Sequence, residues 1–247
     1  MSTTDSPTGR PEGGCFIAFE GPDGCGKSTH ARRLAEALRA VGTDVHLTRE
    51  PGGTDLGERL RDLVLDPQHA PIGPRTEALL FAAARAAHAE QTLRPALQAG
   101  TTVITDRYID SSVAYQGAGR GLGVQCVAEL NAWATEHLVP DVTVVLDLDA
   151  ATAARRRQDR QDAGGDGPDR MEREIADAHE SLRAAFLARA AAAPQRYLVL
   201  HADQDADVLA AQLLGGLAEH GVPGAAAALA GRAEGGVSTQ STPGAGG

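Results

Sequence analysis

Lysine is almost missing from this chain of 247 residues: Lys27 is the only one, and every other strongly basic side chain is arginine. A basic excess is missing as well. The formal net charge is −10, which argues against broad binding to nucleic acid or to an anionic membrane. Cysteine is sparse: Cys15, Cys25 and Cys126 show no metal-ligand spacing, as expected of a reduced, cytoplasmic chain. No apolar run reaches membrane-spanning length, and the N-terminal residues lack the apolar core of a leader. The eight histidines follow no ligand pattern. These absences leave one α/β domain with a sizeable core, and small molecules rather than nucleic acid or membrane as partners.

The single lysine falls in the most informative stretch. Cys15-Phe16-Ile17-Ala18-Phe19 has the length and composition of a buried strand, and Gly21-Pro22-Asp23-Gly24-Cys25-Gly26-Lys27-Ser28 follows, with Thr29 next. That octet fits G-x-x-x-x-G-K-[ST], a phosphate-binding loop. Its glycines let backbone N–H groups converge on phosphate oxygens. Lys27 can then reach the β and γ phosphates, and the Ser28 hydroxyl can ligate Mg²⁺. His30 to Val41 reads as a helix whose positive end points at the same anion.

Further strands are expected at Asp44–Thr48, Thr101–Thr105, Val142–Leu148 and Tyr197–His201. Helices are expected from Leu56 to Val64, Thr76 to Ala99 with a break near Pro95, Val124 to Leu138, Thr152 to Arg160, Asp169 to Ala193 and Asp205 to Leu217. Tyr115–Gly123 is too rich in glycine for a helix and reads as a ligand-facing loop. Met1–Gly14 and residues 219–247 are polar or low in complexity, and disorder is expected there. The alternation predicts an α/β fold: a parallel sheet of about five strands with helices on both faces, over residues 15–218. Ligands of such sheets sit at the carboxyl ends of the strands, where the phosphate loop, Arg49-Glu50, Asp106-Arg107-Tyr108 and the segment after Leu148 converge.

Several of these residues admit two readings. Asp106 and Arg107 form either a structural ion pair or, beside a phosphate loop, a metal-water ligand and a clamp for a second phosphate. Phe81 and Arg85 share a helix face, as packing plus a solvated arginine or as a platform for a base with a guanidinium aimed at its carbonyl. Arg155, Arg156, Arg157 and Arg160 are either a solvated helix face or, ahead of Gly164-Gly165-Asp166-Gly167, a lid over about 155–170 that carries charge to a transferring phosphoryl group.

Taken together, FEGPDGCGKST, TREPGGT, LLFAAAR, DRYIDSSVAYQGAGRGL, PDVTVVLDLD and DRME resemble the bacterial thymidylate kinases, over about Cys15 to Leu217. The resemblance implies a P-loop nucleoside monophosphate kinase fold and ATP-dependent phosphorylation of dTMP to dTDP, with Mg²⁺, in a homodimer. It implies that residues 21–29 bind the ATP phosphates and that Asp23 sits between the nucleotides. Arg49 and Arg107 would bind the dTMP phosphate, Phe81 would stack on thymine and Arg85 would bond its O4. Ser112, Tyr115 and Gln116 would line the base and sugar, and Ser28 with Asp106 would hold the metal. Gly24 stands where some members carry an arginine, which shifts the catalytic charge to the lid. Arg160 best matches that position and Arg156 is second, with Arg157 a milder control if it faces solvent. A related kinase for another phosphorylated acceptor is disfavoured by Phe81, Arg85 and Tyr115. A GTPase-type switch is disfavoured because no N-K-x-D segment exists. An inactive partner subunit is disfavoured because the phosphate loop and the DRY segment are intact. A candidate dimer face is Val124–Leu138, through Val127, Leu130 and Trp133.

Overall fold

The computed structural model describes residues 14–162, 164, 170–171 and 179–237, without the side chains of Arg160 and 234–237. Of the arm expected at Met1–Gly14, residues 1–13 lie outside the described residues, as do most of the segment around Gly165–Gly167, residues 172–178 of the expected long helix and the tail after 237.

Strand β1, Phe16–Glu20, is buried at every position because both of its faces are covered. Ile17 and Phe19 enter one apolar cluster, while Phe16 and Ala18 enter the other. Around it lie β2 (Val45–Arg49), β3 (Thr102–Asp106), β4 (Val142–Asp147) and β5 (Tyr197–His201), in the order β2-β3-β1-β4-β5 with every pairing parallel. All five expected strands are present, shifted by at most a residue or so. The register sets Phe19 beside both Asp106 and Val144, which brings the ends of β1, β3 and β4 to one edge.

Helix α1, Lys27–Ala40, covers one face with Ala31, Leu34, Ala35 and Leu38 turned inward. Helix α2 spans Asp55–Leu65, capped by the Thr54 hydroxyl, which accepts from Gly57 N. The expected break near Pro95 is instead a bulge in a continuing helix. Helix α3 (Pro74–His88) passes through a π-helical turn, Ala89–Leu93, into α4 (Arg94–Gln98), and Pro95 sits in the first turn of α4, where a missing N–H is tolerated.

The stretch read as a loop at Tyr115–Gly123 is largely helical. Helix α5 (Ile109–Ser112) runs on into a π-helical segment, Val113–Gly119, that buries Val113, Ala114, Tyr115, Gln116 and Gly117. Its glycine is there for closeness: a Cβ on Gly117 would lie 3.1 Å from the Val124 Cα. Packing of that tightness overrides a helix penalty of about 1 kcal/mol per glycine. Helix α6 then spans Val124–Ala134, stopping short of Leu138. The apolar face expected on it divides: Val127 belongs to the core, Leu130 is half-buried and Trp133 is 79% exposed.

Helix α7 (Ala150–Asp162) follows β4, and α8 (His179–Ala192) packs Leu182, Phe186 and Ala190 with Tyr115 and Val145. Helix α9 is Ala206–Glu219. The disorder expected from about Gly221 onward is corrected by α10, Ala225–Val237. Its Ala225 and Ala228 join Leu38, Leu217 and Val222 in the α1-side core. A helix that buries mainly alanine has no strong apolar period, so its composition imitates a linker.

Candidate active site

At the strand ends the chain encloses a cavity of about 570 Å³. The phosphate loop forms one side. Gly26 caps α1 in a left-handed conformation (φ 93) with no side-chain cap, so the first N–H groups of the helix remain available to an anion. Lys27 is 6% exposed, and its Nζ donates to the carbonyls of Gly21 and Pro22 at 3.0 Å each. Cys25 is buried beneath it, and burial raises its thiol pKa. The Ser28 hydroxyl bonds to Asp106 Oδ2, while Asp106 Oδ1 is buried without a hydrogen-bond partner.

Arg107, at the end of β3, has φ 73, a conformation that costs a non-glycine residue about 1–2 kcal/mol. Several bonds hold it there, among them one from Thr105 Oγ1 to its carbonyl at 2.9 Å. Its N–H donates to Phe19 O at 2.9 Å, and its guanidinium reaches Ser111 Oγ at 2.8 Å, Gly21 O at 3.3 Å and the Asp23 carboxylate. Tyr115 donates to the other oxygen of Asp23 at 2.7 Å. Burial alone would raise the Asp23 carboxyl, but the charges of Arg107 and Lys27 outweigh it and hold the group well below the usual range. The same carboxylate, added to burial, pushes the Tyr115 phenol well above 10. Glu20 lies behind this cluster, accepting from Tyr108 N at 2.8 Å, Ser111 N at 3.1 Å and Ser111 Oγ at 2.6 Å. Burial, reinforced by the Asp110 charge, pushes its pKa up to about 7.

The far end of the cavity is lined by Phe81, Arg85, Ser112 and Gln116. Arg85 is 2% exposed and spends most of its donors on the protein. Nε donates to Glu50 at 2.6 Å, Nη1 to Ser112 Oγ at 2.9 Å and to Asn131 Oδ1, and Nη2 to Tyr108 O at 3.0 Å. A guanidinium has five N–H groups. Among the described residues, the second N–H of Nη2 has no hydrogen-bond partner. Glu50 is fixed in turn by His88 at 2.9 Å, and Gln116 is held by Glu77 at 2.9 Å.

A family model for thymidylate kinase matches residues 19–213. The thymidylate kinase of Clavibacter sepedonicus is 51% identical over 200 residues, covering 81% of this chain and 92% of the relative. That of Deinococcus radiodurans is 47% identical over 208 residues, with 84% and 98% covered. The solved thymidylate kinase of Ehrlichia chaffeensis superposes with a TM-score of 0.65 at 31% identity, over 83% of this chain and 99% of that one. The chain belongs to the thymidylate kinase family.

Against what the thymidylate kinase resemblance implies, the residues fall into three groups. Asp23, Gly24, Gly26, Lys27, Ser28, Thr29, Arg49, Phe81, Arg85, Asp106, Arg107, Ser112, Tyr115, Gln116 and Arg156 all line the one cavity. Gly21, Pro22 and Cys25 stand behind it, the first two as carbonyl acceptors for Lys27. The Arg160 side chain lies outside the described residues. Arg49 and Arg156 are already paired outside the cavity: Arg49 donates two hydrogen bonds to the Glu58 carboxylate at 2.8 and 3.0 Å, and Arg156 donates to Ala202 O at 2.9 Å with Asp203 3.7 Å away. Arg157 is half-buried, and its guanidinium meets the phosphate loop, so the condition for using it as a milder control is not met. Sequence reasoning gave no role to Glu20, Glu50, Glu77 or Asn131. An acid or amide looks the same in sequence whether it is solvated or, like these four, buried and accepting hydrogen bonds from the protein.

Proposed function

We propose that this chain transfers the γ-phosphoryl group of ATP to the phosphate of dTMP, giving dTDP, as a soluble homodimeric enzyme of the cytoplasm. The observation that carries the reading is the single cavity, with a phosphate loop at one side and an aromatic face plus one free guanidinium N–H at the other. That N–H can only donate. It suits the 4-carbonyl of thymine and repels the 4-amino group of cytosine.

The chain's residues act by placement and charge. Lys27 exchanges two carbonyls for phosphate oxygens, and the N–H groups at the start of α1 hold the donor. Asp23 stays ionised between the nucleotides and orients Arg107, which with Arg49 receives the acceptor phosphate. Phe81 stacks on the base, and Tyr115 stands against the sugar. Arg156 and Arg160 would bring charge to the transferring group. Ser28 and Asp106 suit Mg²⁺, since a hydroxyl and an unpartnered buried carboxylate oxygen form a hard oxygen site. The ion would neutralise charge on the phosphates of ATP. Trp133, exposed on α6, together with Leu56, Leu63 and Leu79 on α2 and α3, offers apolar surface for a second copy. Among the described residues no helix is long and apolar enough to cross a membrane.

The test is an ATP-consumption assay over dTMP, dUMP, dCMP, dGMP, AMP and shikimate. The expected order has dTMP first. Equal or faster turnover of dCMP or AMP overturns the assignment.

A further inference from the structure

Helix α7 rests directly on the phosphate loop. A Cβ placed on Gly24 (φ +89) would lie 2.9 Å from Ala153 O and 3.4 Å from Arg157 Cγ. No side chain at position 24 fits between loop and helix, so Gly24 and α7 are matched to one another. Through this contact Arg157 Nη1 donates to the backbone carbonyl of Asp23 at 3.0 Å. The neighbouring charges differ. Arg107 pairs with Asp23, Arg49 with Glu58, Arg156 with Asp203 and Arg183 with Asp147. Arg157 has no carboxylate partner among the described residues, and the bond that its guanidinium makes is to the loop peptide. Beside it, on α8, His179 is buried at 7% exposure with neither ring nitrogen hydrogen-bonded. Burial and the Arg157 charge both lower the His179 pKa, so the ring stays neutral and does not oppose the guanidinium.

The Asp23 carbonyl and the Gly24 N–H are the two ends of one planar trans peptide and point in opposite directions. Loops of this type present N–H groups to phosphate. A guanidinium on the carbonyl end withdraws electron density through the amide, and a charge-assisted bond of this kind is about twice as strong as a neutral one. We propose that Arg157 is a positioning residue for phosphoryl transfer that acts through the Asp23–Gly24 peptide, fixing the loop and strengthening the Gly24 N–H as a donor to a phosphate oxygen of the nucleotide.

The inference rests on the kinase reading for its kinetic part and on nucleotide binding alone for its spectroscopic part. Full-length wild type, Arg157→Met and Arg157→Lys are compared in two measurements. In the first, kcat should fall in Arg157→Met by about ten- to a hundredfold, below the effect of deleting an oxyanion donor outright. The KM for dTMP should stay within about twofold, and Arg157→Lys should recover part of the rate. In the second, the Gly24 amide proton is followed by NMR with a non-hydrolysable ATP analogue bound, and it should move upfield in Arg157→Met. An unmoved Gly24 amide, or a kcat within about twofold of wild type, overturns the proposal. If wild type fails to phosphorylate dTMP, the substrate reading falls, and the Gly24 amide still decides the role of Arg157.

Discussion

Tyr115 donates its phenolic hydrogen to Asp23 at 2.7 Å, which ties the phosphate loop to the π-helical segment at the acceptor end of the cavity. The bond joins two elements 92 residues apart in sequence, and its acceptor is charged. Tyr115→Phe keeps the ring against Phe186 and removes the hydroxyl, with its bond to Asp23 and the long 3.5 Å bond it accepts from Arg107. Stability should drop by about 1.5–3 kcal/mol, the range for a bond to a charged partner. Urea unfolding reads this directly, and an unchanged midpoint would show that Arg107 and Lys27 hold Asp23 without the phenol.

Asn131 takes one hydrogen of Arg85 Nη1 and anchors its own amide to Val127 O at 2.7 Å. Asn131→Leu leaves that buried N–H unpaired, at a cost of about 1–3 kcal/mol. Arg85 then loses its fixed direction. The KM for dTMP should rise while the KM for ATP stays put. If the two constants move together, Asn131 supports the fold as a whole and not base reading.

Phe81 lines the cavity and is only half-buried, so its ring has a face to offer. Phe81→Ala should weaken dTMP binding by about 1–3 kcal/mol, by analogy with base–aromatic stacking in single strands. Titration calorimetry with dTMP alone checks it, and an unaltered affinity would return Phe81 to the core.

Glu20 sets a pH dependence whose sign can be worked out. Its carboxyl titrates near 4.5 when solvated and is pushed up to about 7 in the folded protein. Between those values the native state holds a proton that the unfolded chain releases. Its contribution to stability therefore falls as pH rises through that window, by at most about 1.4 kcal/mol per pH unit. Glu20→Gln keeps an oxygen for the N–H groups of Tyr108 and Ser111 and cannot ionise. Its unfolding free energy should vary less with pH across this interval. A slope equal to that of wild type would assign the titration to another group.

Much of this arrangement was legible in the residues themselves. Phe16–Phe19 and Val144–Leu146 are apolar without alternation, as strands covered on both faces must be. The phosphate loop declared itself through Gly21, Gly26 and Lys27. Elements stabilised by close approach were not legible, because small residues carry little periodic signal. Gly117 packs against α6 and Ala225 packs against α1, and both segments had the composition of coil. The wiring of the arginines was also hidden. Residues 155–160 plainly share a helix, but which of them meets the loop depends on the rotation of α7. That rotation is set by Ala153 settling beneath Gly24, a contact with no counterpart in local sequence.

Lys27 carries the chain's only ε-amino group, kept at 6% exposure by two backbone carbonyls. Apart from the amino terminus, stable amide labelling by an amine-directed reagent therefore has one address on this protein, inside the nucleotide site. The rate at which a single peptide gains the label, followed by mass spectrometry, becomes a direct clock for how often the loop releases its ammonium. Coupling the protein to a surface through amines would select for molecules attached at that loop or at the terminus, with nothing in between.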